Sequence, residues 1–155
     1  MFVFRIEREK YLNSTLSGIG ASLSEGFRWN SLSTRMVYTA ESRALAILEV
    51  SVHLDIQEDL PTDRNLITLE IPDDVEILEL DPLDLPLNWD SKPPILETQL
   101  IGDEFVQQQE AAVLRVPSAI VPEEFNYLIN PLHPDAQRIR MTASKSLIFD
   151  SRLRK

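Results

Sequence analysis

The residues with chemical potential gather in one stretch, Gly26–Glu49, GFRWNSLSTRMVYTAESRALAILE. Arg28, Trp29 and Asn30 fall together in a polar loop candidate, and a short apolar strand candidate, Met36–Thr39, follows with Tyr38 in it. A helix is then predicted over about 42–54. Ala44, Leu45, Ile47, Leu48, Val50, Val52 and Leu54 cover most of its circumference, so it is expected to be largely buried. Ser42, Ala46, Glu49 and His53 line up on it as one narrow small-or-polar stripe. An unpaired buried carboxylate is costly, so Glu49 either has an internal partner, an arginine or His53, or opens onto a cleft. Ser118 lies far along the chain. It has no GxSxG elbow, and its activating histidine would have to be His53 or His133, so it reads as a hydrogen-bonding or turn serine and not as a nucleophile.

Other chemistries are absent from the sequence. Gly18-Ile19-Gly20 lacks the third glycine and the strand–helix context of a dinucleotide fingerprint. No phosphate loop and no HExxH motif occurs. With no cysteine and only two histidines, neither disulfides nor a structural zinc site is expected, and no metal is assigned. A formal net charge of −10 suits non-specific nucleic-acid binding poorly; it reads as solubility or as attraction to a basic partner protein. No apolar run reaches the roughly 18 residues that span a membrane. The start, MFVFRIEREK, lacks the features of a signal peptide, so a cytoplasmic protein is expected.

The elements that must position these residues follow from patterning. The chain of 155 residues is long enough for one domain with a real core. Residues 2–7 alternate as a first strand, and residues 13–35, rich in Ser, Thr, Asn and Gly, read as a long loop. Asn65–Ile71 and Val75–Leu80 alternate as strands, and the four prolines of residues 81–94 mark a loop in which Trp89 is a packing anchor. A helix is predicted over Ile95–Gln108, with Gly102 a weak spot, and Ala111–Val116 reads as a strand. Residues 119–135 read as an ordered loop, with Asn126, Asn130 and His133 as scaffolding, and Arg138–Thr142 and Leu147–Phe149 as short closing strands. Strands outnumber helices, which points to an α+β fold.

The segments GFRWNS, VYTAES, ALAILEVSVHL and VLRVPSAIVPEEFNYLINPLHPDA, taken in order, resemble the RES domain across nearly its whole length. The family's defining arginine, glutamate and serine match Arg28, Glu49 and Ser118. Phe27 departs from the pattern, because a small residue often precedes the arginine. The resemblance implies a single domain over 1–155 with an ADP-ribosyltransferase-like mixed sheet and flanking helices. It implies the toxin of a type II toxin–antitoxin pair that acts on NAD, most often by hydrolysis or phosphorolysis of the nicotinamide–ribose bond. It also implies an Xre-type antitoxin, with a helix-turn-helix part and a part that caps the toxin, in a hetero-oligomer. The alternatives are transfer of ADP-ribose to a host protein, or an inactive module that only binds antitoxin.

The residues bear that chemistry. Nicotinamide leaves as a neutral group, so no general acid is needed and one carboxylate, Glu49, suffices to face the ribosyl cation or orient the attacking water. Arg28 is expected on the pyrophosphate or ribose, since a planar guanidinium suits phosphate oxygens. Tyr38 is expected to stack on nicotinamide, and Ser118 and Asn30 to bond the substrate. NAD is then substrate and no further cofactor is expected.

Overall fold

The computed structural model describes residues 1–54 and 60–154. Seven strands form one sheet: β1 (Phe2–Arg8), β2 (Val37–Ala40), β3 (Arg64–Glu70), β4 (Ile77–Glu79), β5 (Val113–Pro117), β6 (Phe125–Ile129) and β7 (Arg140–Ser146). Their order across the sheet is β4-β5-β6-β2-β1-β3-β7. Every pairing is antiparallel except β4 with β5, so the sheet is mixed. Among the described residues three α-helices accompany it: α1 (Ile19–Ser22), α2 (Arg43–Ser51) and α3 (Leu96–Gln108). The fold is α+β, as the balance of elements predicts.

The period of two along each strand divides the core between the two faces of the sheet. Val3, Val37, Ile67, Leu69, Val113 and Ile129 make one face, on which Leu12 and Leu16 also pack. Phe4, Tyr38, Ala40, Leu114, Val116 and Leu128 make the other. There α2 docks through Leu45 and Ala46, and α3 through Phe105 and Val106. Both helices therefore lie on one face, above the central strands, and the candidate site forms on that face.

Several expectations are corrected. α2 buries only Leu45 and Ala46 within the helix, and Ala44 and Leu48 are exposed. A nine-residue helix on the sheet uses one face whatever its hydrophobicity, so a wide apolar surface does not imply burial all round. It stops at Ser51 rather than 54; His53 is exposed in the turn that follows. Residues 119–135 are not all loop, because β6 lies among them between β5 and β2. As an interior strand it is covered on both faces, so the polar-out alternation that signals a strand is missing. Asn126 sits in it with its amide donating to the Thr39 carbonyl, 3.3 Å away. In place of two closing strands there is one, β7, on the edge and exposed along its length, while 147–149 form none. The loop over 13–35 contains α1, preceded by a 3-10 turn at Glu9–Ser14.

Gly102 is a requirement of the fold. A Cβ placed there would stand 1.5 Å from the carbonyl oxygen of Trp29. The residue that weakens helix α3 in isolation lets the arginine loop lie directly on the helix.

Candidate active site

Arg28 lies in the loop between α1 and β2. Its Nη1 donates to the carbonyls of Trp89 (2.7 Å) and Ser91 (3.0 Å), which flank the exposed Asp90. Both Nη1 protons are engaged, and among the described residues Nε and Nη2 have no protein acceptor, which leaves three protons for a ligand. Burial lowers the guanidinium pKa from its ordinary value, while the charges of Asp90 and then Glu49 raise it. The Trp89 segment is held in turn by the Trp29 ring, whose centroid stacks 6.3 Å from that of Trp89. Trp89 is thus the packing anchor predicted for it.

Tyr38 projects from β2 toward the same loop. Its hydroxyl donates to Asn30 Oδ1 (2.6 Å) and accepts from the Trp29 amide (3.1 Å). Burial raises the phenol's pKa well above its ordinary value. The ring packs 5.3 Å, centroid to centroid, from Phe27. The residue that departs from the family pattern therefore occupies one flank of the tyrosine expected to stack on nicotinamide. Asn30 is 1 % exposed, and its amide nitrogen donates to the carbonyls of Ala21, Ser31 and Thr34. Its polar atoms are engaged within the loop and by Tyr38.

Glu49 stands on the last full turn of α2, half-buried. Ser42 caps the helix, accepting from the Leu45 amide at 3.0 Å, so the small-or-polar stripe begins at a cap and ends at the carboxylate. The internal partner of Glu49 is Ser118, whose hydroxyl donates to Glu49 Oε1 at 2.8 Å. The same Ser118 oxygen accepts from the amides of Ile120 (3.1 Å) and Val121 (3.2 Å). Ser118 follows β5 directly, is fully buried and has its hydroxyl proton engaged. Its hydroxyl bonds are thus made within the protein, to Glu49 and to the two amides. Glu49's other oxygen, Oε2, has no protein donor among the described residues.

The structure thus assembles Arg28, Tyr38, Glu49 and Ser118 on one face of the sheet from four separate segments. Asn126, Asn130 and His133, expected as scaffolding, each bond nearby backbone. Asn130 is buried, donating to the Val106 carbonyl and accepting from the Leu132 amide, and His133 Nδ1 accepts from the Asp135 amide. A hollow of about 550 Å³, lined by Gly26, Ser31, Leu32, Pro93, Pro94 and Gln99 among others, flanks the arginine loop. None of Arg28, Tyr38, Glu49 and Ser118 lines it. Among the described residues no group of three or more His, Asp or Glu could hold a metal ion, and no helix is long and apolar enough to cross a membrane. Sequence reasoning missed Gln99 and Asp103, which bond the arginine loop from α3. The available signal was a carboxylate, Asp103, on the same helical face as Thr98, Gly102 and Val106.

An α+β domain that presents an arginine, a tyrosine and a serine-held glutamate on one sheet face defines the class. The chain belongs to the RES domain family, whose profile matches residues 2–150. It is 43% identical over 147 residues to a Prs ADP-ribosylating toxin of Sphingobium sp., covering 92% of this chain and 89% of that protein. It is 40% identical to Toxin Res of Photorhabdus laumondii, covering 99% and 97% of the two chains. The fold is similar to a chain in the crystal structure of the M. tuberculosis MbcT–MbcA toxin–antitoxin complex, with a TM-score of 0.75, 18% identity and coverage of 94% of this chain and 83% of that one.

Proposed function

We propose that this chain is the toxin of a toxin–antitoxin pair and that it cleaves NAD at the nicotinamide–ribose bond. The observation that carries the reading is the Ser118–Glu49 hydrogen bond, which fixes one carboxylate on the sheet face that also presents Arg28. As the bond breaks, its electron pair passes to the nicotinamide nitrogen and neutralises it, and C1′ of the ribose becomes cationic. Glu49 faces that charge through Oε2, while Ser118 holds Oε1 and limits rotation of the carboxylate. The three remaining Arg28 protons bind the pyrophosphate. An oxygen nucleophile then attacks C1′ and, when it is water, loses a proton to Glu49 or to solvent. NAD is a substrate here, and no further cofactor takes part.

The acceptor oxygen separates two readings. Water or phosphate gives NAD breakdown. A protein side chain gives ADP-ribosylation, which the name of the Sphingobium relative favours. Purified protein incubated with NAD, with and without phosphate, tests both. Free ADP-ribose or its phosphate is expected; a labelled protein band without free product would replace it with transfer. NAD left intact would overturn the reading in favour of an inactive antitoxin-binding module. The proposed partner is an Xre-type antitoxin whose capping part covers the cleft near Arg28. It is supported by the structural neighbour, which was crystallised as a toxin–antitoxin complex, and by the net charge of −10. A cognate antitoxin is expected to co-purify and to relieve growth arrest; failure of both would reject the partnership.

A further inference from the structure

Three residues of α3, Gln99, Gly102 and Asp103, share one helical face because they are spaced i, i+3 and i+4. Each meets a different residue of the arginine loop, and the residues they meet alternate. Gln99 Nε2 donates to the Phe27 carbonyl at 2.9 Å. The bare Cα of Gly102 admits the Trp29 carbonyl. Asp103 accepts from the Ser31 amide through Oδ1 at 3.0 Å and from the Ser31 hydroxyl through Oδ2. The two intervening residues turn the other way. Arg28 reaches the carbonyls of Trp89 and Ser91, and Asn30 reaches Tyr38. Asp103 is buried on α3, 72 residues from Ser31, so this pairing does not arise from local chain geometry.

We propose that Gln99 and Asp103, with Gly102 between them, form a clamp that seats residues 27, 29 and 31 on α3 and so aims Arg28 at the substrate's anionic group. Gln99 and Asp103 are positioning residues; neither reaches the reacting atoms. A carboxylate that takes both polar hydrogens of Ser31 fixes the loop in translation and rotation, as one bond would not. Gln99 and Ser31 also line the hollow beside the loop, so the clamp shapes that wall as well. This inference rests on the NAD reading for its kinetic test but not for its structural one.

The kinetic test is a double-mutant cycle on NAD turnover, with melting temperature measured on each preparation. Gln99→Ala and Asp103→Ala each release the loop from α3. Both are expected to raise KM for NAD about tenfold with kcat little changed, the pattern seen when ground and transition states are weakened equally. Asp103→Asn can still accept from the Ser31 amide and donate to the hydroxyl, and is expected within about threefold of wild type. Glu104→Gln, exposed on the same helix, is the control. In an Arg28→Ala background neither clamp substitution should raise KM further, because the residue they aim is gone. A purely structural role predicts the same factor in both backgrounds, and that result overturns the proposal. If Asp103→Ala does not fold, half-exposed Gln99 carries the cycle alone. Amide hydrogen exchange separates this inference from the NAD reading. Wild-type protein that leaves NAD intact rejects the reading only. Ser31 amide exchange is expected to accelerate about tenfold in Asp103→Ala and not in Glu104→Gln; unchanged exchange at Ser31 rejects the clamp whatever the substrate.

Discussion

α2 and α3 pack on the same face of the sheet, and each delivers one half of the candidate site by a different kind of support. α3 is a thirteen-residue helix with five buried residues, and it holds the arginine loop through a carboxylate, an amide and a backbone-to-backbone approach. α2 is nine residues with two buried, and it holds Glu49 toward the site through one side-chain bond from Ser118. The arginine side is architecture, over-determined by several interactions. The glutamate side is one charge on a lightly packed support. Substitutions should therefore act differently on the two sides. Changes near Arg28 should alter geometry and stability together, whereas replacing the Glu49 carboxylate itself should alter chemistry and leave the fold alone.

The largest expected effect separates the two sides most sharply. Glu49→Gln keeps an oxygen to accept from Ser118 and deletes the charge. It should lower kcat by about 10²–10³ with little change in KM, the cost of one preorganised electrostatic interaction. Its melting temperature should stay near wild type, because the residue is half-buried on a lightly packed helix. NAD turnover and melting temperature on one preparation check both halves. A well-folded Glu49→Gln protein with near wild-type turnover would remove Glu49 from the mechanism and with it the contrast.

The next effect comes from the architectural side. Gly102→Ala raises helix propensity by about 1 kcal/mol in isolation. Here the new methyl meets the Trp29 carbonyl, which is backbone and cannot rotate aside. The loop must lift, and a displacement of about 1 Å at a positioning element costs on the order of 10² in kcat/KM. The melting temperature should fall as well, in contrast to Glu49→Gln. A Gly102→Ala protein as active and as stable as wild type would show that the loop is not pinned.

Ser118→Ala probes the single bond on the α2 side. It frees the Glu49 carboxylate to rotate and strips the amides of Ile120 and Val121 of their acceptor. A net loss of about 1 kcal/mol in transition-state stabilisation is a factor of about five to ten in kcat, with a similar loss in stability. Kinetics alongside urea unfolding would show both. A drop in kcat as large as that of Glu49→Gln would mean that Ser118 touches the substrate after all.

How much of this contrast can be read from sequence depends on the range of the interaction. β1, β3 and β4 show in their alternation, and the Ser42 stripe points to Glu49 because helical spacing is local. The resemblance brings Arg28 and Ser118 into the set, but not the bond between Ser118 and Glu49. β6 is hidden because an interior strand has no polar face to mark it. The Asp103–Ser31 pairing spans 72 residues and involves two residue types common on surfaces. Gly102 reads as a helix weakness and not as a necessity, since the clashing atom is a backbone oxygen remote in sequence. Asn30 and Ser118 are expected to face a ligand, yet their polar atoms are engaged within the protein. A sequence states the type of a polar group and not whether its bonds are already made.

Tyr38 joins the two sides, and its substitution should give the smallest change in activity. Tyr38→Phe keeps the ring against Phe27 and removes the hydroxyl. The Trp29 amide then loses its acceptor and buried Asn30 Oδ1 loses its donor, which costs about 1–3 kcal/mol of stability. The clamp on α3 remains, so Arg28 stays aimed and kcat should change little. The phenol also gives a pH signature. Its folded-state pKa is raised by burial, so the folded protein keeps a proton that the unfolded chain releases above about pH 10. Its contribution to stability is therefore full below about pH 10 and is lost as pH climbs from there toward the folded value. Denaturant unfolding from pH 8 to 11 should show wild type losing stability more steeply than Tyr38→Phe above pH 10, with the two curves parallel below it. If Tyr38→Phe instead abolished turnover while folding normally, the hydroxyl would belong to the chemistry, and the arginine side could no longer be described as architecture alone.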